Sequence, residues 1–313
     1  MFKQAMGSEV ARPLKNLEEI VVIGAGLAGL SAARHAARLG RLVTLFEGSG
    51  LYGGLVATLG EVDDLPFPGT WSGQDLAMHL LEQAQKVGVR VIDASVTAVD
   101  PGTKLSLTDS EGRSFAPNAV IVATGAALRK MAVPGEEDFA GRGVSRCATC
   151  DGGFYRGRHV AVIGGGDGAV HEAMTLSRVA ERVTLVCRSP LKARREHIDK
   201  LDARDNVRFV WDSEVTAIEG DVKVTGLALR NVKTGEESQL ACDGVFPFIG
   251  LEPAGHFLPA ALRDHAGFAS TSADPRVQAI GWARAGFGGT GIEAMAEGVS
   301  AAEAAHRYLS GLK

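Results

Sequence analysis

Two short apolar strands, each leading through a glycine-rich turn into a helix, constrain the fold of this chain more than any other feature. The first strand, from Ile20 to Ile23, runs into GAGLAG, and the second, from His159 to Ile163, runs into GGGDGA. A strand, such a turn and a helix in this order are typical of a βαβ unit, and two copies make an internal repeat. The sequence therefore predicts an α/β fold with two Rossmann-like nucleotide-binding domains.

The first glycine-rich turn carries all the parts of a dinucleotide site. Gly24 permits a tight turn, Gly26 lets the backbone approach a pyrophosphate, and Gly29 lets the helix pack close to the strand. The helix N-terminus offers unpaired N–H groups to phosphate. The next strand, LVTLFE, ends at Glu47, about 20 residues further on, where an acid binds a ribose. The pattern predicts a dinucleotide site in which Glu47 accepts from the ribose hydroxyls.

The second turn has the same layout but a different charge at its far end. Gly164, Gly166 and Ala169 fill the G-x-G-x-x-A positions. The following strand, VTLVCRS, ends with Arg188 instead of an acid, and an arginine there can pair with the 2′-phosphate of NADP(H). The alternative is an exposed arginine that only ends a strand. Arg194 lies near enough to assist, or begins a solvated helix.

The order of the elements suggests that one domain is inserted into the other. The apolar run AVIVATGA, at residues 119–126, ends the first segment of the first domain. The run DGVFPFIGLEP, which starts at residue 243, begins the second segment of that domain. We therefore expect residues 1–126 and 243–313 to form the first domain and residues 127–242 the inserted second domain. Small residues in the last helix, GIEAMAEGVSAAEAAHRYL, predict close packing against a cofactor or another helix.

Composition excludes several classes of protein. The chain has 313 residues, enough for two domains, with a net charge of −4 and no Lys/Arg block, which argues against nucleic acid as a partner. It has no run of about 18 apolar residues that could span a membrane, and its first residues lack the apolar core of a signal peptide. We expect a cytoplasmic protein.

A CxxC pair, Cys147 and Cys150, lies shortly before the second nucleotide turn. A zinc site needs four ligands, and the remaining cysteines, Cys187 and Cys242, lie far apart within apolar runs. No metal is therefore expected, and the choice is between a structural disulfide and a reversible dithiol, which cytosolic CxxC pairs favour. Asp151 follows the pair and is able to handle protons, or caps a turn.

These motifs together resemble the bacterial-type, low-molecular-weight thioredoxin reductases. The resemblance rests on GAGLAG, ATG at 123–125, CATCDG at 147–152, GGGDGA and DGVFPFIGLEP, and covers about residues 18 to 309. It implies a homodimeric enzyme that binds FAD in the first domain and NADPH in the inserted one. Hydride passes to the flavin, which then reduces the disulfide, and the inserted domain rotates between the two steps.

The resemblance also implies roles for individual residues. Cys150 would face the flavin, Cys147 would attack the disulfide of thioredoxin or a similar small protein, and Asp151 would act as acid and base. Cofactor binding would involve Gly24, Gly26, Gly29, Glu47, Gly54, Leu55, Asp64, Val96, Ala123, Thr124, Gly125, Gly164, Gly166, Asp167, Ala169, Arg188, Arg194, Gly281, Trp282, Thr290 and Gly291.

The chain departs from the family pattern at positions near both cofactors. Trp282 replaces an aspartate, and Gly289-Thr290 replaces Arg-Gln. Leu55 replaces a glutamine and Asp64 an asparagine, while His171 stands for a glutamate. Where the family has H-R-R-x-x-x-R, this chain has Cys187-Arg188-Ser189. Its next arginine in the pattern, Arg194, lies one position further along than the family spacing. Losing one arginine of a phosphate clamp weakens a charge-assisted contact.

These departures leave two further hypotheses open beside an NADPH-dependent reductase. The donor could be NADH, ferredoxin or a second flavin, with the same disulfide chemistry. A third hypothesis is a dinucleotide-binding redox sensor without enzymatic activity.

Overall fold

The computed structural model describes residues 19–62, 65–66, 71–270 and 274–311, which form two parallel sheets, three small antiparallel sheets and six α-helices. The strands are β1 (Glu19–Ile23), β2 (Leu42–Glu47), β3 (Arg90–Asp93), β4 (Val96–Asp100), β5 (Ser106–Asp109), β6 (Ser114–Phe115), β7 (Ala119–Val122), β8 (Ala126–Leu128), β9 (His159–Ile163), β10 (Arg182–Cys187), β11 (Val207–Trp211), β12 (Ser213–Gly220), β13 (Val224–Asn231), β14 (Glu237–Ala241), β15 (Gly244–Pro247), β16 (Leu251–Pro253) and β17 (Val277–Ala279). The helices are α1 (Leu27–Arg38), α2 (Gly73–Lys86), α3 (Ala148–Asp151), α4 (Asp167–Ser177), α5 (Arg195–Asp202) and α6 (Gly291–Leu309).

The first sheet has the strand order β17-β7-β1-β2-β3, and all neighbouring strands are parallel. Its central strands are near-continuous apolar runs, as expected for strands covered on both faces. In β1 and β7 every residue from Ile20 to Ile23 and from Ala119 to Val122 is buried. The antiparallel strands β4, β5 and β6 come between β3 and β7. This sheet and its flanking helices, called the first unit below, form the first of the two predicted Rossmann-like folds.

The second sheet repeats the arrangement with four parallel strands in the order β11-β10-β9-β15. β9 and α4 flank the second glycine-rich turn, just as β1 and α1 flank the first. An antiparallel sheet of β12, β13 and β14 follows β11. The predicted fold class, two Rossmann-like units with the second inserted into the chain of the first, is therefore confirmed.

The boundary predicted after residue 242 is wrong at one strand. Residues Gly244–Pro247 pair in parallel with β9, and all four are buried in the second sheet. The second unit thus extends at least to Pro247. A short antiparallel pair, β8 with β16, joins the segments through which the chain leaves the first unit and returns to it. The remaining division into domains stays a prediction.

Helix α6 packs against α1, which confirms the prediction drawn from its small residues. Its buried positions are Gly291, Ala294, Gly298, Ala301, Ala302 and Ala305. A Cβ atom at Gly298 would lie 2.4 Å from the Ala28 carbonyl oxygen of α1, so only glycine permits this approach. In the described part of the chain no helix, α6 included, is long and apolar enough to cross a membrane.

Candidate functional site

The first glycine-rich turn is held by backbone contacts to its neighbours. The Gly24 N–H donates to the Phe46 carbonyl oxygen at 2.8 Å, and Gly24 adopts a φ of +100°. A Cβ there would lie 2.5 Å from the Ala123 carbonyl oxygen. Both facts require glycine, since side chains rarely adopt such a φ. The turn therefore lies directly against the end of β7.

Glu47 ends β2 beside this turn and is 6% exposed. One carboxylate oxygen accepts from the Ala25 N–H at 3.0 Å, and the other accepts from the Ser49 N–H at 2.7 Å and its hydroxyl at 2.6 Å. The side chain thus ties the turn after β1 to the turn after β2. It leaves the carboxylate on the wall of a cavity.

That cavity, of about 660 Å³, is formed by the carboxyl ends of the first sheet, the N-terminus of α1 and residues 281–291. Its volume lies in the range of small-ligand sites. It brings together thirteen of the predicted cofactor-binding residues: Gly24, Gly26, Glu47, Gly54, Leu55, Val96, Ala123, Thr124, Gly125, Gly281, Trp282, Thr290 and Gly291. Gly29 does not line it and instead lies against Gly24, where a Cβ would be 1.9 Å from the carbonyl oxygen. Asp64 lies outside the described residues.

The loop from Gly281 to Thr290, which departs most from the family pattern, forms an ordered wall of the cavity. The ring of Trp282 packs edge-on against Phe287 at 5.3 Å between centroids. Gly289 lies under the same indole, since a Cβ there would be 3.2 Å from it. An aromatic pair therefore lines the cavity where the family pattern has an aspartate.

Two glutamates of α6, neither of them predicted from the sequence as a site residue, hold this loop. Glu297 accepts from the Gly281 N–H at 2.7 Å and pairs with Arg284. Glu293 accepts from the Gly288 N–H at 3.1 Å, while its own N–H donates to the Thr290 hydroxyl. Thr290 and Glu293 fit the T-x-x-E spacing of a capping box, a signal in the sequence that could have identified Glu293.

The second glycine-rich turn forms a separate cluster. The Gly164 N–H donates to the Val186 carbonyl oxygen at 3.0 Å, and Ala169 is buried where α4 meets β9. Asp167 starts α4 and accepts from the Arg194 N–H at 2.9 Å, with the Arg194 guanidinium 3.6 Å away. Arg188 is exposed at the end of β10. Asp167 therefore organises the entry to α5, and nucleotide contacts by these residues stay a prediction.

Cys147 and Cys150 form a disulfide that closes the redox turn, residues 147–151. The Cys150 N–H donates to the Cys147 Sγ at 3.1 Å. Ser145, which was not predicted as a site residue, donates through its hydroxyl to Asp151 at 2.6 Å and accepts from the Cys147 N–H at 3.2 Å. Asp151 is thereby fixed beside the disulfide.

The other two cysteines are expected to be far less reactive than the redox pair. Cys187 and Cys242 are buried, and burial raises the pKa of each thiol to about 12. Since only the thiolate is nucleophilic, neither reacts readily near neutral pH. Of the four cysteines, only Cys147 and Cys150 are therefore expected to take part in thiol–disulfide exchange.

The redox turn lies close to the first unit without lining its cavity. A Cβ at Gly60 would lie 3.6 Å from the Thr149 hydroxyl oxygen, between the two cysteines. Cys150 is exposed, and neither cysteine is among the residues around the cavity. The structure therefore brings the pair next to the first unit, while the expectation that Cys150 faces the flavin stays a prediction.

Two nucleotide-type turns with a disulfide between them define a class: disulfide oxidoreductases built from two Rossmann-like units. The model of the pyridine nucleotide-disulphide oxidoreductase family matches residues 18–274. The thioredoxin reductase of Treponema pallidum is 37% identical over 302 residues, covering 94% of this chain and 98% of that protein. The chain belongs to the pyridine nucleotide-disulphide oxidoreductase family, and the predicted resemblance is confirmed.

Solved structures show the same relationship. The crystal structure of Lactococcus lactis thioredoxin reductase (FR conformation) matches with a TM-score of 0.90 at 34% identity, covering 94% of this chain and 100% of that one. The thioredoxin reductase from Streptococcus pyogenes matches at 0.62, also at 34% identity, covering 95% and 99%.

Proposed function

We propose that this chain is a flavin-dependent protein-disulfide reductase that passes electrons from NADPH through FAD to the Cys147–Cys150 disulfide and on to thioredoxin. The observation that carries the proposal is that disulfide, which belongs to the unit with the second nucleotide turn and lies close to the first unit near Gly60. The names of the relatives reported above support thioredoxin as the partner.

The residues around the large cavity fit FAD. Gly26 leaves space where a pyrophosphate would approach the N-terminus of α1, since a Cβ there would meet only the Gly53 oxygen, at 3.8 Å. Glu47 would accept from ribose hydroxyls, and Trp282 with Phe287 offers an aromatic wall. Bound FAD would accept a hydride and donate two electrons to the disulfide.

The reduced pair would then transfer its electrons by thiol–disulfide exchange. The Cys147 thiolate attacks one sulfur of the partner disulfide, forming a mixed disulfide and releasing one partner thiolate. Cys150 attacks the Cys147 sulfur, which releases the second partner thiolate and restores the internal disulfide. Asp151, held by Ser145, would supply the proton to a leaving thiolate. The partner gains two electrons and two protons, and the pair loses the same.

The alternatives with ferredoxin or a second flavin as donor, and the sensor without activity, are not supported. The relatives reported above are named thioredoxin reductases, and this chain matches nearly the full length of each. The test is consumption of NADPH at 340 nm with oxidised thioredoxin present. If NADPH is not consumed while dithionite bleaches the bound flavin, the donor proposed here is wrong.

Arg188 is proposed to bind the 2′-phosphate of NADPH. Replacing it by alanine should raise KM for NADPH about ten-fold or more, the value of one charge-assisted hydrogen bond, and leave KM for NADH unchanged. Steady-state kinetics with both nucleotides measures the difference. Arg230→Ala is the control, because Arg230 is paired with Glu214 on the antiparallel sheet of β12–β14. Equal effects on NADPH and NADH would contradict this role.

Glu47 is proposed to serve both the loop and the cofactor. In Glu47→Gln one carboxylate oxygen becomes an NH₂ group that meets a backbone N–H donor, at Ala25 or at Ser49. FAD affinity should fall about ten-fold, as for loss of one hydrogen bond to a charged group. Titration of the apoprotein followed by flavin fluorescence gives the dissociation constant. An unchanged constant would remove Glu47 from the proposed site.

A further inference from the structure

Glu172 is an acidic residue in the apolar core of the second unit. It lies on α4 and is 2% exposed. Its neighbours in the chain, Val170 and Ala173, belong to the apolar cluster around β9 and β10. Acidic side chains are almost never fully buried unless a partner compensates for the lost water. The position therefore calls for a specific contact.

That contact is the backbone of the redox turn. One Glu172 carboxyl oxygen accepts from the Ala148 N–H at 2.6 Å. Ala148 follows Cys147, starts α3 and is itself 2% exposed. N–H groups in the first turn of a helix have no partner within that helix, and a buried donor without a partner is costly. The Glu172 side chain thus provides the acceptor for a buried N–H group of the turn that carries both cysteines.

The same helix carries the second nucleotide turn at its start. Asp167 begins α4 immediately after Gly166, and Glu172 lies five residues further along. The redox turn is therefore held by the element that begins at the predicted nucleotide site.

We propose that Glu172 is a positioning residue for the redox pair, which holds the turn in its closing geometry through the hydrogen bond to the Ala148 N–H. This inference rests on the proposed function of the Cys147–Cys150 pair as a reversible disulfide. Once the disulfide is reduced, the turn loses its covalent closure, and this hydrogen bond still anchors its first residue. An anchored turn keeps the two thiols close together, so less order is lost on reduction and re-closure is favoured.

The burial of Glu172 decides which substitutions at this position can test the proposal. It raises the pKa of Glu172 to about 7, against the lowering effect of the Ala148 N–H. Glutamine therefore resembles the protonated side chain, keeps an acceptor oxygen and should preserve the turn. Leucine has similar size and suits an apolar core but accepts no hydrogen bond. Aspartate keeps the acid but shortens the side chain by one methylene, which withdraws its oxygens from Ala148.

The test is the equilibrium of the Cys147–Cys150 disulfide with dithiothreitol, measured by alkylation and mass spectrometry on the FAD-loaded protein. Glu172→Leu and Glu172→Asp should shift the equilibrium toward the dithiol by about ten-fold, the size of the conformational freedom that one more residue gains in the reduced turn, and Glu172→Gln by less than about three-fold. A merely structural role would lower the melting temperature without moving this equilibrium.

Two results would overturn the proposal. One is a wild-type equilibrium in every folded variant, with circular dichroism confirming the fold. The other is an equal shift in Glu172→Gln and Glu172→Leu, because glutamine keeps the acceptor. If the leucine variant does not fold, the aspartate variant decides the question. Dithiothreitol replaces NADPH and thioredoxin in this assay, so failure of the proposed function would be seen separately, as absent turnover in the wild type.

Discussion

The Cys150→Ser chain is expected to lose disulfide turnover by about a thousand-fold or more, as variants lacking an essential nucleophile do. Without Cys150 the mixed disulfide at Cys147 has no internal thiol to resolve it, and the Cys147–Cys150 disulfide cannot reform. Flavin content and reduction of the flavin by NADPH should be unchanged, because neither cysteine lines the large cavity. Thioredoxin reduction and anaerobic flavin bleaching, followed side by side, measure the two effects.

Cys242→Ala is the matched control for this experiment. Cys242 is buried and its thiol pKa is raised to about 12, so it should not take part in exchange. Its replacement should leave turnover within about three-fold of the wild type, since a small buried thiol contributes mainly packing. Turnover that survives in Cys150→Ser, or is lost in Cys242→Ala, would assign the chemistry to other groups.

The second large effect is expected when either of two nearby glycines is replaced by alanine. One variant should lose folding stability, and the other should lose FAD binding. In Gly29→Ala the new methyl carbon would lie 1.9 Å from the Gly24 carbonyl oxygen, which is backbone and cannot move aside. The loss should be about 4 kcal/mol of folding free energy, among the largest for a single substitution. In Gly26→Ala the nearest atom is 3.8 Å away and φ is −73°, so the apoprotein should fold normally.

Gly26→Ala should nevertheless lose FAD, because its methyl group would stand at the N-terminus of α1 on the wall of the cavity. We expect a loss of about 3 kcal/mol in binding, or roughly a hundred-fold in Kd. Flavin content after purification and melting curves of the apoproteins separate the two variants. Gly153→Ala, with nothing within 4 Å of its Cβ, is the control. A Gly26→Ala chain with normal FAD affinity would place the cofactor elsewhere.

Much of this site could be predicted because its residues lie within single βαβ units. Gly24, Gly26 and Glu47 follow from a local pattern that the backbone must satisfy wherever the unit is used. Strand Gly244–Pro247 was assigned to the wrong unit because a buried parallel strand is the same apolar run in either sheet. Periodicity gives the type of such a strand and not its neighbours.

Contacts across longer distances could not be predicted. The hydrogen bond from Ala148 to Glu172 joins two elements 24 residues apart, and no local signal distinguishes this glutamate from an exposed one. Similarly, the substitution at Trp282 indicated a lost polar contact. It gave no sign that Phe287 and Glu297 would hold the loop against the cavity. Packing of the chain creates these contacts, and one sequence does not reveal them.

The most direct test of electron flow to the redox pair is an anaerobic incubation with NADPH followed by alkylation and peptide mass spectrometry. The expected result is that Cys147 and Cys150, joined in a disulfide before incubation, both become alkylated as the flavin is reduced. Cys187 and Cys242, with thiol pKa values of about 12, should stay unmodified in the folded chain. A bleached flavin with the Cys147–Cys150 disulfide still intact would contradict the proposed relay.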